Sequence, residues 1–146
     1  MFLQSIKKLY RYNNWSIYWG SKRSWLYTRK LFFNTKHYKN NIDLINKYSS
    51  DPTIHQDLND KTFDIVFIDG DHSYDNVKND IEIALKYTRP NGFIMLHDYW
   101  INAKQDFRLR GVVDAVHQCL MYKYKFLYLL RSVIVFENNN DFSIYE

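Results

Sequence analysis

Five residues at two places in the chain have side chains suited to chemistry. Asp69, Asp71 and His72 fall in Asp69-Gly70-Asp71-His72-Ser73-Tyr74, and His97 and Asp98 stand next to each other in His97-Asp98-Tyr99-Trp100. Carboxylates offer hard oxygen ligands to a divalent cation such as Mg2+, and imidazoles would also admit Mn2+ or Zn2+. An imidazole titrates near neutrality and can act as a general base. Each group follows an abrupt end to an apolar run, Phe63-Asp64-Ile65-Val66-Phe67-Ile68 in one case and Phe93-Ile94-Met95-Leu96 in the other.

These runs must position the five side chains. Both are rich in β-branched or aromatic residues and too short for helices, and they read as buried strands of a parallel sheet. Between them, Tyr74, Val77, Ile81 and Leu85 mark one face of a helix over Ser73–Thr88, and Arg89-Pro90-Asn91-Gly92 stops it and turns the chain. Two strands joined by one helix should be parallel neighbours, their carboxyl ends ~4.8 Å apart. Ligands of open α/β sheets bind beyond such ends. Asp69 and Asp98 should therefore converge, with Asp71, His72 and His97 close by. Side-chain alternation turns His97 away from Asp98 and predicts a structural role for it. The competing reading makes Asp69-Gly70 a turn and Asp71 or Ser73 a helix cap. Tyr99 and Trp100 either shape a pocket wall or pack.

The remaining pattern predicts a strand over 41–48, a short helix opened by Ser50-Asp51-Pro52, and a helix over Phe107–Leu120 carrying Val112, Val116 and Leu120. An antiparallel pair follows, Phe126–Leu130 with Ser132–Phe136. Asn138-Asn139-Asn140 reads as a turn. The order βαβαββ predicts an α/β fold, mostly parallel, with an antiparallel C-terminal hairpin. The 146 residues, 46% hydrophobic, suffice for one core. The single cysteine excludes an intrachain disulfide and suits a reducing compartment. No run reaches the length of a membrane span and the start lacks a secretory pattern, so a cytoplasmic protein is expected.

Charge divides the chain unevenly. Residues 1–42 hold nine Lys/Arg and no Asp or Glu, leaving eleven of the 20 basic residues beside all 16 acidic ones in the rest. We therefore separate a basic, aromatic-rich lead, 1–40, from an α/β body, 41–146. Cations interleaved with Tyr10, Tyr12, Trp15, Trp19 and Trp25 could meet nucleic acid or an anionic membrane surface. The plainer account is a solvated helix face with core aromatics.

Taken together, Asp69-Gly70-Asp71-His72-Ser73-Tyr74, the following Val77-Lys78-Asn79-Asp80, the Arg89-Pro90-Asn91-Gly92 turn and Met95-Leu96-His97-Asp98-Tyr99 resemble the class I S-adenosylmethionine-dependent methyltransferases. Within them the chain is most similar to the group of macrolide and sugar O-methyltransferases and cephalosporin-hydroxylase-like proteins. The resemblance spans roughly residues 41–137 and is strongest over 63–99. It implies a Rossmann-like sheet whose last strand is antiparallel, S-adenosylmethionine as methyl donor, and a small-molecule or sugar hydroxyl as acceptor. It also implies a divalent metal, chiefly Mg2+, with Asp69 and Asp98 as the first and second ligating carboxylates. The family's third ligand often follows as Asp or Asn. Tyr99 stands there, so Asp71 or His72 would contribute, and His72 is the candidate base.

The resemblance also implies a glycine-rich loop and a ribose-binding acid near the start. Ser16–Ser24 holds one glycine, and no acid follows the candidate second strand Leu31–Tyr38, where Asn34 is the polar substitute. The cofactor-binding part is therefore expected to be incomplete, through truncation or degeneration, and exposed sheet edges would favour self-association. Two rival functions remain. One is a metal-dependent nucleotide-sugar glycosyltransferase using Asp69-Gly70-Asp71 as a D-x-D motif. The other is a catalytically inactive homologue or binding module.

Overall fold

The computed structural model describes the backbone of residues 9–12 and 15–18, and residues 45, 47–59, 61–100 and 107–139. In the lead, Leu9–Tyr12 (β1) and Trp15–Tyr18 (β2) pair antiparallel, with Leu9 opposite Tyr18 and Tyr12 opposite Trp15. The candidate second strand over Leu31–Tyr38, Asn34 and the single-glycine loop after residue 18 lie outside the described residues.

Ile45, Lys47 and Tyr48 are not in a strand, unlike the expectation for 41–48; residues 41–44 and 46 lie outside the described residues. A short helix follows as expected, Ile54–Asp57 (α1). Asp51 prepares it: Oδ1 accepts hydrogen bonds from Thr53 N at 2.8 Å and Thr53 Oγ1 at 2.6 Å. Short polar side chains start helices by taking such otherwise unpaired groups.

The apolar run Phe63–Ile68 is β3, the amphipathic stretch Tyr74–Tyr87 is α2, and Thr88–Leu96 is β4. Phe107–Cys119 forms α3, and Lys125–Leu130 (β5) and Val133–Glu137 (β6) close the chain as an antiparallel pair. The sheet order is β3-β4-β6-β5. β3 and β4 run parallel, while β6 is antiparallel to both β4 and β5. This is the expected α/β sheet, with the closing hairpin inserted so that its second strand lies beside β4.

The segment Arg89-Pro90-Asn91-Gly92 differs from the turn predicted for it. It stops α2 but lies within β4 as an irregularity. Thr88 pairs with Phe63, and the register shifts before Ile65 pairs with Phe93. Asn91 takes a φ of 59°, and a Cβ on Gly92 would fall 2.9 Å from Asp64 O, so the strands need glycine there. Asn138 holds the bulge from the far end of β6. Its Nδ2 donates to Thr88 O at 2.7 Å, and its backbone N donates to Gly92 O at 2.7 Å. Backbone groups that a free turn would leave to water thus find partners in the sheet.

The core lies between the sheet and the two long helices. α2 contributes Val77, Ile81, Ala84 and Tyr87 at helical spacing, and α3 contributes Val112, Val113, Ala115 and Val116. They meet Phe63, Val66 and Ile68 of β3, Ile94 and Leu96 of β4, and Ile134 and Phe136 of β6. Ile65 and Phe67, on the other face of β3, are only half-buried, where burial of both faces was expected. Among the described residues no helix is long and apolar enough to cross a membrane.

Candidate active site

The parallel register decides where the site forms. Ile68 pairs with Leu96, so Asp69 and His97 leave the sheet side by side. The ladder continues one step past the strands, with His97 N donating to Ile68 O at 2.8 Å. Asp69 and Asp98 do converge, at the carboxyl ends of two neighbouring parallel strands.

His97 converges with them. Its Nδ1 lies 3.0 Å from Asp98 Oδ1 and 3.3 Å from Asp69 Oδ1. Strand alternation would have separated His97 from Asp98. Alternation fails because Asp98 adopts a left-handed backbone, φ 59°, at a cost of roughly 1 kcal/mol for a non-glycine residue. Asp is among the residues that tolerate this conformation. One ligand atom each from Asp69, His97 and Asp98 forms a set whose members all lie within 4.8 Å of one another.

His72 reaches the same place from the loop after β3, with Nε2 2.9 Å from Asp98 Oδ2. That hydrogen bond is the main reason the Asp98 carboxyl sits below its usual range, against an opposing effect of burial. Asp69 is raised instead, chiefly because burial disfavours its charged form. Its neighbour Asp98 adds to the rise, while the imidazoles His97 and His72 counter it. The two carboxylates therefore differ in character: Asp98 is held as an anion by a donor, and Asp69 is the more readily neutralised by a proton or a cation.

Asp71, expected as a metal ligand, is placed at the start of α2. Its Oδ1 accepts from Ser73 N at 2.6 Å and its Oδ2 from Asn76 Nδ2 at 2.9 Å. The unpaired N–H groups of a helix start compete for this carboxylate and suit its charge. Asp71 thus closes a local turn onto Ser73 just before α2, and the third member of the clustered set is His97. Tyr99, the family's third-ligand place, turns inward: it is 5% exposed and its hydroxyl meets His117 Nε2 at 2.9 Å. Burial raises the Tyr99 hydroxyl above its usual range.

Two residues that position the site carried no readable signal. Ser132, at the β5–β6 connection, places Oγ 3.2 Å from His97 Nε2 and accepts Tyr99 N on its backbone oxygen at 3.0 Å. Gly111 of α3 packs against the loop that carries His72: a Cβ there would fall 2.2 Å from His72 O and 2.6 Å from Tyr74 N. Only the absence of a side chain allows this approach.

Residues 4–99 match the family described as "Methyltransferase domain", well over half of the chain. The chain belongs to this methyltransferase domain family. The match starts inside the basic lead and ends at Tyr99, so it includes both strand ends that build the site. A curated relative is an uncharacterized protein of Acanthamoeba polyphaga mimivirus, 40% identical over 70 residues, covering 47% of this chain and 29% of that protein. Among solved structures, a provisionally assigned caffeoyl-CoA O-methyltransferase from Staphylococcus aureus superposes with a TM-score of 0.57 at 16% identity, covering 80% of this chain and 61% of that one. At that identity the likeness concerns the fold, and it is the Rossmann-like methyltransferase fold. The chain spans less than two thirds of either relative's length.

The residues present fit a divalent cation. Two carboxylates and an imidazole offer three donors, and His97 Nδ1 is a buried polar atom that makes no hydrogen bond of good geometry among the described residues. The segments expected to hold S-adenosylmethionine, beyond Ser16–Tyr18, lie outside the described residues.

Proposed function

We propose that the protein transfers a methyl group from S-adenosylmethionine to a hydroxyl of a small molecule or sugar, with Asp69 and Asp98 holding a divalent metal. The observation that carries this reading is the contact between His72 Nε2 and Asp98 Oδ2, 2.9 Å long and immediately beside Asp69. A His–Asp pair of this kind orients an imidazole for proton transfer. With its Nε2 proton donated to Asp98, neutral His72 presents Nδ1 as the basic atom. His72 is 35% exposed at its side chain, so an acceptor can approach it.

In this reading, His72 Nδ1 takes the hydroxyl proton of the acceptor while the oxygen bonds to the methyl carbon and the sulfur–methyl bond breaks. Asp98 stabilises the imidazolium that results. A bound cation supplies charge that lowers the pKa of a hydroxyl beside it. S-adenosylmethionine supplies the methyl group. Asp71 holds the loop of His72 against α2, a task of placement.

The test is transfer of labelled methyl from S-adenosylmethionine to a panel of sugar and phenolic hydroxyl acceptors, with added Mg2+, Mn2+ or Zn2+ and with a chelator. Cation-dependent methylation, lost on His72→Ala, is expected. Neither transfer nor calorimetric binding of S-adenosylmethionine would instead indicate an inactive homologue. Thermal stabilisation by nucleotide sugars alone would point to glycosyl transfer.

A further inference from the structure

We infer that His97, held by Ser132, is the third metal donor, and that this centre prefers a divalent transition metal such as Mn2+ or Zn2+ to Mg2+. The inference rests on the proposed metal-assisted reading and specifies its ion. Three observations converge on it.

The first is the state of His97 Nδ1. It is shielded from water and lies 3.0 and 3.3 Å from two carboxylate oxygens, yet among the described residues neither contact has the geometry of a full hydrogen bond. A buried ring nitrogen in this state is costly to leave unpaired, and a cation between the three donors would satisfy it. Ligand bonds of about 2.0–2.2 Å around one ion set neighbouring donors roughly 3.3–3.6 Å apart, and the Nδ1 distances here are close to that.

The second is the other nitrogen. Nε2 lies 3.2 Å from Ser132 Oγ, and Ser132 is 7% exposed. With Nε2–H donated to this hydroxyl, Nδ1 carries the lone pair. An outer partner that fixes the tautomer in this way is the usual companion of a metal-binding histidine. Ser132 is itself tied down, since its backbone oxygen accepts Tyr99 N at 3.0 Å.

The third is where the competing donors are. Tyr99 is turned into the core against His117, and Asp71 is committed to Ser73 and Asn76 at the start of α2. His72 is taken up by the outer oxygen of Asp98. Among the described residues, the donors gathered at one point are two carboxylates and one imidazole. Mg2+ favours all-oxygen surroundings, whereas imidazole suits Mn2+ and Zn2+.

Calorimetry on the full chain with Zn2+, Mn2+ and Mg2+ salts provides the first test. Tighter binding of Zn2+ and Mn2+ than of Mg2+ is expected. His97→Ala should weaken Zn2+ by roughly 100-fold and Ser132→Ala by about 10-fold, the range seen when partners of a metal ligand are removed. His97→Asp, which restores an all-oxygen set, should shift the preference back toward Mg2+. Circular dichroism checks that each variant folds. A second measurement needs no variant: long-range 1H–15N spectra of the histidine rings should show Nδ1 of His97 move on Zn2+ addition while Nε2 stays protonated. Unchanged Zn2+ affinity in folded His97→Ala, or a His97 Nδ1 signal indifferent to saturating Zn2+, overturns the inference alone. Failure of the wild-type chain to bind any of the three cations overturns both it and the metal-assisted reading.

Discussion

His72 and Asp98 are joined across the carboxyl ends of two parallel strands, with Nε2 of one 2.9 Å from Oδ2 of the other. Neither residue belongs to a strand: one sits in the loop before α2 and the other just past β4. The parallel pairing of β3 with β4 and the left-handed backbone at Asp98 bring them together.

This pair should dominate turnover. His72→Ala is expected to lower kcat for methyl transfer by roughly 100-fold or more, the usual contribution of a positioned general base. Binding of S-adenosylmethionine, measured by calorimetry, should change little. Asp98→Asn should lower both kcat and metal affinity. The Asp98 pKa is lowered by His72, so the contact stabilises the fold above the unfolded value near 3.8 and is lost as pH falls through the lower folded value. Acid titration of Asp98→Asn against wild type, followed by circular dichroism, should show the mutant losing less stability in that range.

Gly111 should be intolerant of any side chain. A Cβ would fall 2.2 Å from His72 O and 2.6 Å from Tyr74 N, both backbone atoms. Gly111→Ala should destabilise by about 1–3 kcal/mol, as overpacking does. Because the displaced loop carries His72, kcat should fall by roughly 100-fold even where the variant remains folded. Chemical denaturation and steady-state kinetics on the same sample separate the two effects.

Asp80 should give the fold an unusual pH profile. It is 2% exposed on the inner face of α2, with Ser49 Oγ donating to Oδ1 at 2.9 Å and with Oδ2 lacking a hydrogen-bond partner among the described residues. Burial pushes its pKa up to about 8, against the Ser49 hydrogen bond that favours the charged form. The folded chain then binds a proton that the unfolded chain releases between 3.8 and about 8. Stability should therefore fall as pH rises through that window, by at most about 1.4 kcal/mol per pH unit. Asp80→Asn should flatten the slope in urea titrations at several pH values.

Asn138 should matter more than a terminal polar residue normally does. Its side chain donates to Thr88 O and its backbone holds Gly92. Asn138→Ala leaves the bulge carbonyls short of a donor and should cost about 1–3 kcal/mol, measured by thermal or urea unfolding.

Much of this architecture was legible in local pattern. Ile65–Ile68 and Phe93–Leu96 could only be strands, and Val77, Ile81 and Leu85 recur at helical spacing. The parallel crossover then followed from chain connectivity, and with it the meeting of Asp69 and Asp98. Other features depended on partners far along the chain. Arg89-Pro90-Asn91-Gly92 has the composition of a turn, but Phe63 and Asn138 draw it into the sheet. Asp71 has the composition of a metal ligand, but the nearby helix start takes it.

The Asp-Gly-Asp-His strand end and the His-Asp strand end by themselves determined the fold class and the place of the site, because periodicity and connectivity are properties of the chain. Which side chains complete the site was decided only in three dimensions. The left-handed backbone at Asp98 turns its carboxylate toward His97, Ser132 arrives from the closing hairpin, and Gly111 lets a later helix press on the His72 loop. These depend on contacts between segments distant in sequence, for which a local pattern carries no record.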